Sequence, residues 1–287
     1  MPIKSVTTSY VGEAPYQMYV ECFTPMADTI RPYPLVFVHG GCHHGAYWIN
    51  RPDGEPGWAA YFCERGWKTY VVDWPGHGRS GFMPEFTKLS TQRVVDNLIV
   101  LLHKIGPAIL MTHSMSGQIG WKTADTVPHL VRGIVASAPG RPANLQTESE
   151  RPPLPADAPV WTTPEEAHEV WANGDMYPRE WWPLSDKGLM PESPYAMNER
   201  RHAGGITGLY VKDPEKLKWI PKVVITGDQD PRHPREMDES ITEFIGGDFV
   251  WLPDHGMPGH GHMFMVELGN LEIARLIEKW LEGKGLS

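Results

Sequence analysis

The sequence predicts a doubly wound α/β domain, and three observations carry that reading. Short, continuously apolar runs such as Leu35-Val36-Phe37-Val38 alternate along the chain with segments of helical periodicity. Continuous apolarity marks strands covered on both faces, as in a parallel sheet. The first run stops at Gly40-Gly41 and the next at Asp73, just before Pro75-Gly76, so each ends in turn-forming residues. Strands alternating with helices through right-handed crossovers place helices on both faces of one sheet.

Two β-type segments open the chain, around residues 3–9 and 16–23, with Gly12 and Pro15 between them. Buried strands follow at 35–39 and 69–72, separated by a helix near 58–65. Ser90 is placed to cap a helix running to about Lys104, since Val94, Val95, Leu98, Leu101 and Leu102 fall on one face. A strand at 108–112 passes into a helix over 115–126, and another strand spans 131–137. The alternation resumes with a strand at 222–226, a helix at 235–245, a strand at 249–252 and a last helix at 271–281. Between them, residues 141–216 are rich in Pro and Trp and lack strand periodicity. That stretch exceeds the ~12–15 residues of ordinary structureless loops. It is expected to be an inserted cap, with residues 1–140 and 217–287 forming the core domain.

Composition narrows the function classes. The 287 residues are 41% hydrophobic and 21% charged, a globular profile. A net charge of −9 and a pI near 5.8 disfavour nucleic acid and anionic membrane surfaces as partners. No apolar run approaches the ~18–20 residues that span a bilayer, and the run at 98–102 belongs to an amphipathic helix. Met1-Pro2-Ile3-Lys4-Ser5 lacks an apolar signal region, and Cys22, Cys42 and Cys63 are too few and too scattered for a disulfide framework or a four-ligand zinc site. A reduced, cytoplasmic protein is expected.

Open α/β sheets bind ligands beyond the C-terminal ends of their strands, so polar residues there are the candidates. The strand at 108–112 leads into Thr112-His113-Ser114-Met115-Ser116-Gly117 and then a helix. A serine on such a corner is pushed out of the sheet in a strained conformation with its hydroxyl exposed. The positions two before and two after it are usually glycine; here they are Thr112 and Ser116, both still small. The same position also suits a helix N-cap serine. The strand at 35–39 ends in His39-Gly40-Gly41-Cys42-His43-His44-Gly45. Acyl transfer needs two backbone N–H donors aimed at the developing oxyanion. Gly41 can supply one and Met115, at the helix start, the other.

Taken together, His39-Gly40-Gly41, Asp73-Trp74-Pro75-Gly76-His77-Gly78-Arg79-Ser80 and His113-Ser114-Met115 resemble the α/β-hydrolase superfamily. More narrowly, Trp48, Pro52-Asp53-Gly54-Glu55-Pro56-Gly57-Trp58 and the late Gly259-His260-Gly261-His262-Met263-Phe264-Met265 are similar to a bacterial and fungal serine carboxylesterase subgroup. The resemblance implies a mostly parallel eight-stranded sheet with helices on both faces and an inserted cap. It implies His262 as general base, with His260 and the more distant His255 as alternatives. Gly227-Asp228-Gln229-Asp230-Pro231 resembles the superfamily's acid turn and nominates Asp230, with Asp228 as competitor. The subgroup's acid is instead a Glu after the preceding strand, where this chain has Ala138. Asp73 is expected to brace a loop.

The order Ser114, Asp230, His262 matches that of the fold and leaves room for the cap between the first two. The expected chemistry is cleavage of a small to medium apolar or aromatic ester or lactone, with no cofactor. His43-His44 and the His260/His262 pair lack a carboxylate or cysteine to complete a ligand set, so no metal is expected. Trp161, Trp171, Trp181 and Trp182, with His44, are candidates to line a substrate site; packing of the cap on the core explains the tryptophans equally well. Arg200, Arg201 and His202 are either solvated charges or partners for a substrate carboxylate. The same triad also suits C–C or amide hydrolysis or acyl transfer, and the scaffold also suits a non-catalytic binding protein. Homodimerisation is left open.

Overall fold

The computed structural model describes residues 3–26, 28, 30–81, 91–141, 211 and 213–287. The expected cap over 141–216, with Trp161, Trp171, Trp181, Trp182, Arg200, Arg201 and His202, lies almost entirely outside them, as does Ser90.

Eight strands form one sheet in the order β1-β2-β4-β3-β5-β6-β7-β8. They are β1 (Ile3–Val11), β2 (Met18–Pro25), β3 (Leu35–Val38), β4 (Thr69–Asp73), β5 (Ala108–His113), β6 (Val131–Ser137), β7 (Lys222–Thr226) and β8 (Asp248–Trp251). The first two are antiparallel to each other, and β2 is antiparallel to β4; from β4 through β8 every pairing is parallel. Edge strand β1 is exposed over most of its length, whereas β3, β4, β5 and β7 are buried at every position. The apolar runs are continuous because both faces of these strands are covered.

The helices are α1 (Ala46–Ile49), α2 (Trp58–Glu64), α3 (Thr91–Ile105), α4 (Ser116–Thr126), α5 (Pro214–Leu217), α6 (Arg235–Ile245) and α7 (Asn270–Gly283). Strand period two sorts the core into two layers. Val36, Val38, Leu110 and Ala136 pack with α3, α4, α5 and α6, while Leu35, Phe37, Ile109 and Met111 pack with α1, α2 and α7. Trp48, Trp58, Trp67 and Trp121 are fully buried. Trp58 also donates its indole N–H to the Asn270 carbonyl (2.9 Å), fastening α2 to α7. Since β3, β5, β6 and β7 run parallel, their C-terminal ends meet along one rim.

Candidate active site

Backbone strain collects at that rim. Among the described residues, the non-glycines with positive φ are Cys42 (62°), Ser114 (54°) and Ala138 (41°), and they follow β3, β5 and β6. Such conformations persist only where the surroundings hold them, and they cluster at functional sites. Around Ser114 the surroundings do hold: its N–H donates to the Ser137 carbonyl (3.0 Å), and its carbonyl accepts from Gly117 (2.8 Å) and Gly140 (2.7 Å). The Ser114 hydroxyl bonds to none of the described residues. Helix α4 takes Met115 as N-cap with no side-chain cap bond, so Ser114 is not a capping serine.

The two departures from glycine around Ser114 each have a local answer. The Ser116 hydroxyl accepts from the His113 N–H (2.7 Å) and lies within donating distance of the Val38 (2.9 Å) and His113 (2.8 Å) carbonyls. It stitches the elbow to β3, which glycine cannot do. The Thr112 methyl fills space left by Gly120, where a Cβ would lie 2.9 Å from it.

The turn after β3 packs against the elbow with no side chain between them. A Cβ on Gly40 would lie 2.9 Å from the Ser114 Cβ, and one on Gly41 2.3 Å from the Met115 Sδ. Three rings pin this turn. His39 Nδ1 donates to the Gly40 carbonyl (2.7 Å) while its Nε2 accepts from the Trp74 N–H (2.9 Å). Burial pushes its pKa down to about 3, so the ring is neutral. His43 Nδ1 lies 2.6 Å from the Gly41 carbonyl, and Gly40 N–H donates to the Tyr47 hydroxyl (3.1 Å). Among the described residues no acceptor takes the N–H of Gly41 or of Met115. These are the two amides expected to hold an oxyanion. The Met115 N–H also sits at a helix N-terminus, where unpaired donors favour negative charge.

The residues expected as acid and base, Asp230 and His262, follow β7 and lie in the loop before α7. His262 Nδ1 hydrogen-bonds Asp230 Oδ2. An ionised carboxylate only accepts, so the proton is on Nδ1 and Nε2 keeps its lone pair. Burial opposes ionisation of Asp230, but the His262 hydrogen bond, the charges of His262 and His233 and the Arg232 N–H together outweigh it and hold the carboxyl well below the usual carboxylate range. The other oxygen accepts from the Arg232 N–H (3.1 Å) and Nε (3.2 Å). Burial lowers the His262 pKa, with Asp230 pulling the other way. His233 stacks on His262 at 5.3 Å, steadied by buried Asp238, which also accepts from Thr226 (2.5 Å). The residue before Ser114 packs on this pair: the His113 ring lies 4.6 Å from the His262 ring, and His113 Nε2 is 3.0 Å from the His262 carbonyl oxygen.

The competing candidates have other work. Asp228 Oδ1 accepts from Gly259 (2.7 Å) and His260 (3.3 Å) N–H groups, which ties down the base loop. His260 faces Glu267 (3.0 Å), whose carboxylate also takes the Gly261 N–H. His255 is exposed at the end of a short turn, Leu252–His255. Ala138 is buried and donates its N–H to Ile225, with no carboxylate to offer. Asp73 accepts from Gly45 (2.5 Å) and Arg79 (2.8 Å), bracing the loops after β3 and β4 as expected. His44 is exposed, its Nδ1 3.4 Å from the Ala46 N–H, and none of its bonds reaches Ser114, Asp230 or His262. Asp230, His233 and His262 place ligand-type atoms within 4.8 Å of one another. Asp230 already shares its charge with His262 and Arg232, however, and His233 Nδ1 is engaged by Asp238. Tyr47, Arg232, His233 and Glu267 carry no signal in sequence spacing.

Comparison with known proteins gives a consistent picture. A family model described as the alpha/beta hydrolase family matches residues 35–276. A protein of Fungal sp. (strain ATCC 74256) named probable secreted lipase phiG is 27% identical, the alignment covering 93% of this chain and 86% of that one. The solved structure of a bacterial esterase, 20% identical, superposes with a TM-score of 0.64 over 98% of this chain and 96% of that one. Another, described as an N-acyl homoserine lactone degrading enzyme, is 17% identical with a TM-score of 0.59 over 94% of this chain and 99% of the other.

Proposed function

This chain belongs to the alpha/beta hydrolase family, and we propose that it is a serine hydrolase cleaving a carboxylic ester or lactone of small to medium apolar or aromatic character. The observation that carries the reading is the Asp230–His262 hydrogen bond together with a strained Ser114 whose neighbour His113 packs on His262, with the Gly41 and Met115 amides unclaimed. In the reaction His262 Nε2 takes the Ser114 proton as the oxygen attacks the carbonyl, and Asp230 steadies the imidazolium. The Gly41 and Met115 amides hold the oxyanion, a contribution on the order of 3 kcal/mol per donor. His262 then returns the proton to the leaving group, and water repeats the cycle on the acyl-enzyme.

The names of the similar proteins, a lipase, an esterase and a lactone-degrading enzyme, support ester-type bonds over amides. Residence in the cytoplasm is part of the same proposal, supported by three cysteines that are all free thiols. The test is Ser114→Ala. It is expected to keep the fold and lose at least about a thousandfold in kcat on nitrophenyl esters. A fluorophosphonate is expected to label Ser114 in the wild type alone. Wild-type turnover by the variant overturns the reading.

A further inference from the structure

We propose that Tyr47 and His113 are positioning residues that lock the oxyanion turn to the loop of the catalytic base through one unidirectional chain of hydrogen bonds. The inference rests on the hydrolase reading above and deepens it. Three bonds make the chain: Gly40 N–H to Tyr47 Oη (3.1 Å), Tyr47 Oη to His113 Nδ1 (3.1 Å), and His113 Nε2 to the His262 carbonyl oxygen (3.0 Å).

The direction of every proton follows from valence. An amide N–H only donates, so Tyr47 accepts from Gly40 and has one hydrogen left to give. That hydrogen goes to His113 Nδ1, which makes Nδ1 an acceptor and leaves the ring proton on Nε2. The carbonyl of His262 only accepts, so Nε2–H is the donor it requires. No link can be reversed without breaking a neighbour. Burial supports the assignment, since it holds the Tyr47 hydroxyl protonated, far above the ordinary tyrosine range, and keeps His113 neutral.

The chain spans the parts that must agree for acyl transfer. Gly40 sets the pose of the Gly41 amide, His113 immediately precedes Ser114, and the His262 carbonyl belongs to the residue that takes the proton. Tyr47 and His113 also stand ring against ring, edge-on at 5.8 Å. Displacements of about 1 Å between reacting groups lower rates by as much as a hundredfold. A hydroxyl that removes slack between the oxyanion turn and the base therefore acts on the chemical step, not on substrate affinity.

Tyr47→Phe keeps the ring and deletes only the hydroxyl. With p-nitrophenyl butyrate, kcat is expected to fall at least about tenfold while KM stays within about threefold, and fluorophosphonate inactivation is expected to slow in step with kcat. Wild-type kcat in a folded Tyr47→Phe protein overturns the proposal. Imidazole ¹⁵N NMR gives a readout that needs no turnover. His113 is expected as the Nε2–H tautomer across pH 6–8, and its Nδ1 resonance moves toward that of an unbonded acceptor in Tyr47→Phe. An Nδ1–H tautomer, or an unmoved Nδ1 resonance, also overturns the proposal. Recording the spectra in the Ser114→Ala background separates failure of this proposal from failure of the hydrolase reading.

Discussion

A base that accepts a proton from serine must be neutral before reaction begins. Burial pushes His262 below the ordinary histidine value of 6.5, and Asp230 recovers only part of the difference. The acid limb of kcat/KM is therefore expected below pH 6.5, with activity persisting where an unperturbed imidazole is half charged. A limb above that value contradicts the burial argument. Asp230→Asn removes the acceptor that keeps the proton on Nδ1, and kcat is expected to drop about 10³–10⁴-fold. Because the opposing charge is gone, the limb moves further toward acid. The strained corner at Ser114 and the pairing of Asp230 with His262 were legible in the sequence because each residue sits in a strand-end or pre-helix segment with a readable pattern. Tyr47 was not, since its partner His113 lies 66 residues away and the next link, to His262, spans a further 149.

Strands were read within two residues, and for the central ones, β3, β4, β5 and β7, the reason is that burial on both faces leaves an uninterrupted apolar run. The four-residue α1 was missed, since so short a helix shows no period. What the pattern also hid is how β5 and α4 adapt to each other. The strand–turn–helix corner departs from glycine at Thr112, and the accommodation sits about one turn along α4 at Gly120, whose missing side chain leaves room for the Thr112 methyl. In an exposed helix, Gly→Ala is stabilising by roughly 1 kcal/mol. Here the new Cβ would lie 2.9 Å from a methyl on a fully buried strand residue, and overpacking of that kind costs about 1–3 kcal/mol. Gly120→Ala is expected to be destabilising by about 1 kcal/mol in urea unfolding. Adding Thr112→Ser, which removes the methyl, should recover most of the loss. Additive effects of the two substitutions in a double-mutant cycle would show that the contact is not the cause.

At the scale of the whole molecule, the rim that hosts chemistry is also where the fold stores neutral histidines. His39 follows β3 and His113 ends β5, the two neighbouring central strands, and both rings are fully buried. Burial pushes His39 down to about 3 and His113 well below its ordinary 6.5. The unfolded chain takes a proton on each as pH falls through 6.5, whereas the folded chain refuses both, so the unfolded state binds more protons and acid favours it. Below that pH each ring is expected to remove stability on the order of 1 kcal/mol per pH unit. His262, lowered in the same direction, adds to the loss. The depressed carboxylates Asp73 and Asp230 contribute only in more acid solution, below the carboxylate value of 3.8. The interval from pH 6.5 to 5 therefore isolates the histidines. Urea midpoints measured across it should fall steadily, since each protonation breaks an acceptor bond: Trp74 N–H to His39 at one strand end, Tyr47 to His113 at the next. A flat profile between pH 7 and 5 would mean that neither ring is held neutral by the fold, and the single-tautomer wiring of this rim would go with it.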